Sequence, residues 1–184
     1  MNDPDQSLVD LSKKGDQAAF GKLIAKHYDF VYAVVFGILR NREDALEITQ
    51  EVFLKVSGEI QKFEGQAKFK TWLYRIAANR AIDEVRKRRP TEPIEEQMDL
   101  KTSDISPREA ASREELQRLA EKALDALNPE QRAVLVLRHW NELSYEEIAE
   151  TLDIDIGTVM SRLFYGRKKM AQVLGIKLKD ERNG

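Results

Sequence analysis

LSYEEIAETLDIDIGTVMSRL, residues 143–163, reads as two short amphipathic helices around a three-residue turn. Ser144-Tyr145-Glu146-Glu147 is a capping box, with a hydroxyl at the cap and Glu three residues on. The first helix therefore spans Ser144 to Leu152, with Ile148 and Leu152 inward and Ala149 small enough for a second helix to cross. Asp153 to Asp155 makes the turn, and the second helix runs from Ile156 to Val173. At 100° per residue Val159, Leu163 and Met170 share one face, with Gly166 beside them. Thr158, Ser161, Arg162, Tyr165, Lys168 and Lys169 lie opposite. This spacing predicts a helix-turn-helix whose second helix offers polar and cationic side chains to a major groove. An ordinary helix pair with a solvated basic face has the same pattern.

Upstream, Asn128-Pro129-Glu130-Gln131 is a second helix start, with Asn at the cap and Pro in the first turn. Leu116, Leu119, Ala120, Ala123 and Leu127 mark an amphipathic helix before it. Residues 91–112 hold Pro93 and Pro107 with little apolar periodicity and read as a linker. In the N-terminal part, Asp16 caps a helix carrying Phe20, Leu23, Ile24, Tyr28, Val31, Tyr32, Val35 and Leu39. A turn is expected at Asn41 to Glu43, a helix from Asp44 to Val56, a loop from Gly58 to Lys70, and a helix from Thr71 to Arg89, stopped by Pro90. No β-alternation is visible. The expected fold is all-α: two small helical domains, residues 1–90 and 113–184, joined by a flexible linker at 91–112.

Charge is sorted into blocks. Residues 68–89 hold eight Lys/Arg against two Asp/Glu, and residues 156–179 hold six Lys/Arg and no acid. Residues 91–112 hold six acids and two bases, and residues 42–64 six acids and three bases. Two basic blocks in a chain of net charge −2 point to two contacts with one polyanion and to a partner of the other sign. With no Cys and only His27 and His139, disulfides and thiolate or His-rich metal sites are excluded. The longest apolar run, Val31 to Leu39, is far short of the roughly 20 residues of a membrane span. No signal peptide is visible, so a cytoplasmic protein is expected.

Two N-terminal motifs carry candidate chemistry. Asp44, Glu47 and Glu51 fall on one helix face, opposite Ala45, Ile48, Val52 and Val56. This stripe reads either as a solvated face or as a docking surface for a basic partner; with no His nearby it is a poor metal site. FEGQAKFKTWLYRIAANRAIDEVRKRR, residues 63–89, interleaves Phe63, Phe69, Trp72 and Tyr74 with Lys68, Lys70, Arg75 and Arg80, and sets Arg75, Asn79 and Arg86 on one face. Single-stranded nucleic acid is held in this way, by apolar surfaces for bases and cations for phosphates. Trp72, Leu73, Ile76 and Ala77 also fit a core.

Together these residues resemble the extracytoplasmic-function (group IV) sigma factors of the sigma-70 family, over residues 7–90 and 113–178. NREDALEITQEVFLKV is similar to region 2.2, residues 63–89 to regions 2.3 and 2.4, and residues 127–163 to region 4. The resemblance implies a subunit of RNA polymerase that needs no cofactor. Asp44, Glu47, Gln50 and Glu51 would dock on the β′ clamp helices. The loop from Phe63 to Lys70 would capture a base flipped from the −10 element of promoter DNA, with Arg75, Asn79, Arg80 and Arg86 along its path. Thr158, Ser161, Arg162, Tyr165, Lys168 and Lys169 would engage the −35 element, the C-terminal domain would touch the β flap, and the acidic linker would thread toward the active-site and RNA-exit path. An anti-sigma factor is the expected inhibitor. The chain departs from the family pattern at Met160 and Tyr165, where cations are common, and at Asp153 and Asp155, where Gly and Pro are common. Two other classes compete: a helix-turn-helix regulator that binds duplex DNA alone, which needs neither the acidic helix nor the aromatic-basic loop, and a carboxylate-metal hydrolase using Asp44, Glu47 and Glu51, for which no nucleophile or catalytic His is present.

Overall fold

The computed structural model describes residues 3–88 and 113–175, the side chains of 113–117 excepted. The predicted linker at 91–112 lies outside these residues. Among the described residues there are eight α-helices, one short 3₁₀ turn and no strand.

Helix α1, Gln6–Lys13, is followed by Gly15 at φ +88°. The next helix, α2 (Gln17–Leu39), begins where expected: Asp16 accepts hydrogen bonds from the N–H groups of Ala18 and Ala19 at 2.9 and 3.0 Å. It is apolar on most sides because α1, α3, α4 and α6 all pack on it. Helix α3 spans Arg42–Glu59, two residues earlier and three later than expected. Asn41, read as part of a turn, is its cap and accepts from Asp44 N–H. Ile60–Lys62 forms the 3₁₀ turn, so the loop shrinks to residues 63–68, and α4 spans Phe69–Arg88.

The second half comprises α5 (Arg113–Asp125), α6 (Pro129–His139), α7 (Tyr145–Leu152) and α8 (Ile156–Val173). Both expected capping boxes form, at Asn128 with Gln131 and at Ser144 with Glu147. Asp153 ends α7 in the left-handed region at φ 55°, a conformation that Asp tolerates better than most residues. Ile148, Val159 and Leu163 are buried, as the helix-turn-helix pattern requires. Gly166 is needed where α8 crosses α6: a Cβ there would stand 2.9 Å from Leu135 Cδ1.

The two halves share one continuous core. Helix α6 packs on α2, and α7 packs on α4. Gly37 is the close approach, because its missing Cβ leaves the space that Trp140 and Val136 fill. Arg132, buried, bolts the halves together. Its guanidinium donates to the carbonyls of Ile38 (2.6 Å), Leu124 (3.1 Å) and Leu127 (3.0 Å). These oxygens lie at the C-terminal ends of α2 and α5, where backbone acceptors lack helical partners and the dipole favours a cation.

Candidate nucleic-acid interface

Helices α3 and α4 are joined by a chain of alternating charges. Arg80 donates to Glu51 (2.7 Å) and to Glu84 (2.8 Å); Arg88 donates to Glu84 (2.9 Å) and, through Nη2, to Asp44 (3.0 Å). The hydrogen bonds from Arg80 and then Arg88 hold the Glu84 carboxyl below its ordinary range. Two of the four acidic-face residues, Asp44 and Glu51, are therefore paired within the chain. Glu47 and Gln50 are exposed. Such surface pairs are worth roughly 0–1 kcal/mol each, so a basic partner could exchange them at little cost. Leu54, 73% exposed, and Leu46 lie on the open side of α3 and were missed by the charge pattern.

Phe63 and Phe69 are buried, with rings 5.9 Å apart and edge-on, and both contact Trp72. Hydrophobic packing holds both rings, which anchor the loop from beneath. Between them Gly65 takes φ +74°, and residues 62–67 with Trp72, Arg75 and Glu150 line an open cavity of about 420 Å³. Lys68 and Lys70 are half-buried, the latter with its ammonium 6.0 Å from the Tyr74 ring. Asn79 is exposed. The arginines of the predicted face are engaged across the two halves: Arg75 Nη2 donates to the Glu150 carbonyl at 2.5 Å, and Arg86 Nε donates to the buried Glu130 at 3.0 Å.

On α8, Ser161, Tyr165 and Lys169 are exposed, whereas Thr158, Arg162 and Lys168 are half-buried. Burial pulls the Arg162 pKa down, while nearby Glu130 acts the other way, so this side chain belongs to the seam between the halves. The open face instead carries Met160 and Phe164, 54% and 51% exposed, the latter edge-on to Tyr165 at 5.3 Å. Phe164 escaped the sequence reading, although its spacing from Met160 (i, i+4) was available.

Residues 23–91 match the Sigma-70 region 2 family and residues 117–170 the Sigma-70, region 4 family. The ECF RNA polymerase sigma factor SigW of Bacillus subtilis is 34% identical over 172 residues, 88% of this chain and 92% of that protein. The chain belongs to the ECF sigma factors. The ECF RNA polymerase sigma-E factor of Escherichia coli is 33% identical over 174 residues, 89% of this chain and 91% of that protein. Among solved structures, CnrH in complex with the cytosolic domain of CnrY aligns with a TM-score of 0.71 and 26% identity, over 94% of this chain and 97% of that one. The sigma factor RpoE of Bartonella quintana, in complex with the anti-sigma factor NepR, shares the fold at a TM-score of 0.65 and 24% identity, over 86% of this chain and 98% of that one.

For an ECF sigma factor the geometry sorts the candidate residues into three surfaces. Asp44, Glu47, Gln50 and Glu51 lie on α3; Lys68, Lys70, Arg75, Asn79, Arg80 and Arg86 lie on or just before α4; Ser161, Tyr165 and Lys169 lie on the open side of α8. No helix of the described residues is long and apolar enough to cross a membrane.

Proposed function

We propose that residues 1–90 bind core polymerase and open the −10 element, that residues 113–184 read the −35 element and touch the β flap, and that residues 91–112 connect them. The face of α3 with Asp44, Glu47, Gln50 and Glu51, widened by Leu46 and Leu54, docks on the β′ clamp helices. The cavity at residues 62–67 takes the base flipped from the −10 element, with Lys68, Lys70, Arg75, Asn79, Arg80 and Arg86 supplying phosphate and base contacts along α4. Capturing an unstacked base offsets part of the few kcal/mol that opening the duplex costs, so melting and reading become one act. Helix α8 enters the −35 major groove with Thr158, Ser161, Arg162, Tyr165, Lys168 and Lys169.

The chain adds no chemistry of its own; polymerase makes the RNA. It works in the cytoplasm, where polymerase is, and an anti-sigma factor holds it inactive, as the partners named for RpoE of Bartonella quintana suggest. The observation that carries this reading is the loop cavity, walled by Arg75 and Trp72 at the start of a cationic helix. Run-off transcription with purified core polymerase over a genomic promoter library tests it. Defined start sites sharing −10 and −35 sequences are expected; failure to associate with core, or to start RNA at any template, overturns it. A gel shift without polymerase separates the independent DNA-binding regulator, which would bind strongly alone.

A further inference from the structure

Helix α1 and the residues just before it lie outside the residues that match region 2, yet together they hold both ends of the loop beside the cavity. Lys13 Nζ donates to the Phe63 carbonyl at 2.8 Å, and Gln61 Nε2 returns a bond to the Lys13 carbonyl at 2.5 Å. At the other end Asp3 Oδ2 accepts from the N–H of Phe69 at 2.7 Å. The second contact answers a defect in the local sequence. Phe69 N–H opens α4, where donors lack helical partners, and Trp72 N–H bonds to Lys68 O, which puts Lys68 at the cap. A lysine side chain donates only and cannot cap. Asp3, 66 residues away in the chain, supplies the missing acceptor and a negative charge at the positive end of the helix dipole.

The segment that carries Asp3 is itself fastened. Asp5, buried, accepts from Lys26 and lies 2.8 Å from His27 Nε2, and the His27 ring packs 5.6 Å from Phe69. From this anchor Asp3 reaches the Phe69 end, and Lys13 of α1 the Phe63 end, of a six-residue loop whose middle lines the cavity. We propose that Asp3 and Lys13 are positioning residues: they hold the capture loop in its receiving shape before DNA arrives, so that base capture need not order it. This rests on the reading of the cavity as the −10 capture site. Neither residue touches the base; each acts through a loop end.

The test uses the full chain reconstituted with core polymerase on a promoter found by run-off transcription, following open-complex formation by permanganate reactivity of unpaired thymines. Asp3→Ala and Lys13→Met should each slow opening about tenfold, the value of one charge-assisted hydrogen bond. Affinity for core polymerase and for −35 duplex should stay unchanged. Asp3→Asn, which keeps an acceptor, and Lys13→Arg, which keeps a donor, should restore most of the rate. Unchanged opening in both truncations overturns the brace and leaves the capture site standing. Slower opening with a parallel loss of core affinity, or without rescue by the conservative pair, makes α1 a support of the fold only and also overturns it. If the wild-type holoenzyme opens no template, the capture site itself falls, and the brace with it.

Discussion

Arg75 Nη2 donates to the main-chain carbonyl of Glu150 at 2.5 Å, so an arginine at the start of α4 is held by the first helix of the helix-turn-helix. Both residues line the loop cavity. With Arg86 on Glu130, and Arg132 on the carbonyl of Ile38, the second half of the chain lies against the helix expected to meet −10 DNA. Any contact of Arg75 and Arg86 with that DNA would compete with these bonds for the same guanidinium groups.

Gly37→Ala should open this arrangement. The new Cβ would stand 2.5 Å from Trp140 Cζ3 and 2.6 Å from Val136 Cγ2, distances at which these side chains must shift and push α6 away from α2. The same change favours α2 by about 1 kcal/mol of helix propensity, so helicity should hold. Small-angle scattering should show a larger radius of gyration with an unchanged far-ultraviolet circular dichroism spectrum. An unaltered scattering curve would show that the gap at Gly37 does not control closure.

Arg132→Leu should destabilise the fold by about 2 kcal/mol or more, since each buried acceptor left unpaired costs about 1–3 kcal/mol; the carbonyls of Ile38 and Leu127 lose this donor, while Leu124 O keeps the Leu127 N–H. Urea unfolding measures this through the shift in midpoint. A change under about 1 kcal/mol would mean that water replaces the guanidinium at the helix ends.

Met160→Arg places a cation on the open face of α8, where the wild-type side chain is more than half exposed. The holoenzyme should bind −35 duplex more tightly at low salt, and the slope of log affinity against log salt should steepen by about 0.9, one added phosphate contact. Anisotropy titrations at several salt concentrations decide it; the same slope in both proteins would put position 160 away from the phosphates.

Tyr74 should titrate late, because burial pushes its pKa from about 10 up to about 12. A raised folded-state value favours the neutral phenol in the native state. Its contribution to stability is therefore complete below pH 10 and lost as the pH climbs through 12. Phenolate absorbance at 295 nm should show one late component that vanishes in Tyr74→Phe, and that variant should lose less stability between pH 10 and 12. A titration with no late component would contradict the burial of this ring.

The C-terminal half was legible almost to the residue because its signals are local. A capping box at Ser144, an apolar i, i+3, i+4 face and an Asp able to take φ 55° act within one or two turns of chain, and each formed as read. The acidic face of α3 was legible for the same reason, since helix periodicity alone puts Asp44, Glu47 and Glu51 together. Leu46 and Leu54 went unnoticed beside them because a charge pattern carries no information about which apolar residues lack a covering neighbour.

Sequence by itself determined helices α2 to α8 to within a few residues, the caps at Asp16, Asn128 and Ser144, the helix-turn-helix and the family, because these depend on propensity and periodicity over a few residues. Only the tertiary structure decided which aromatic and charged side chains are spent on packing and pairing. Phe63 and Phe69 turn inward because three rings meet there, Arg75 and Arg86 turn to the seam because Glu150 and Glu130 lie across it, and α4 is capped from Asp3 because no local residue can accept its first N–H. The Asp3–Phe69, Arg75–Glu150 and Arg86–Glu130 partners are separated by 44 to 75 residues along the chain, and periodicity does not reach that far.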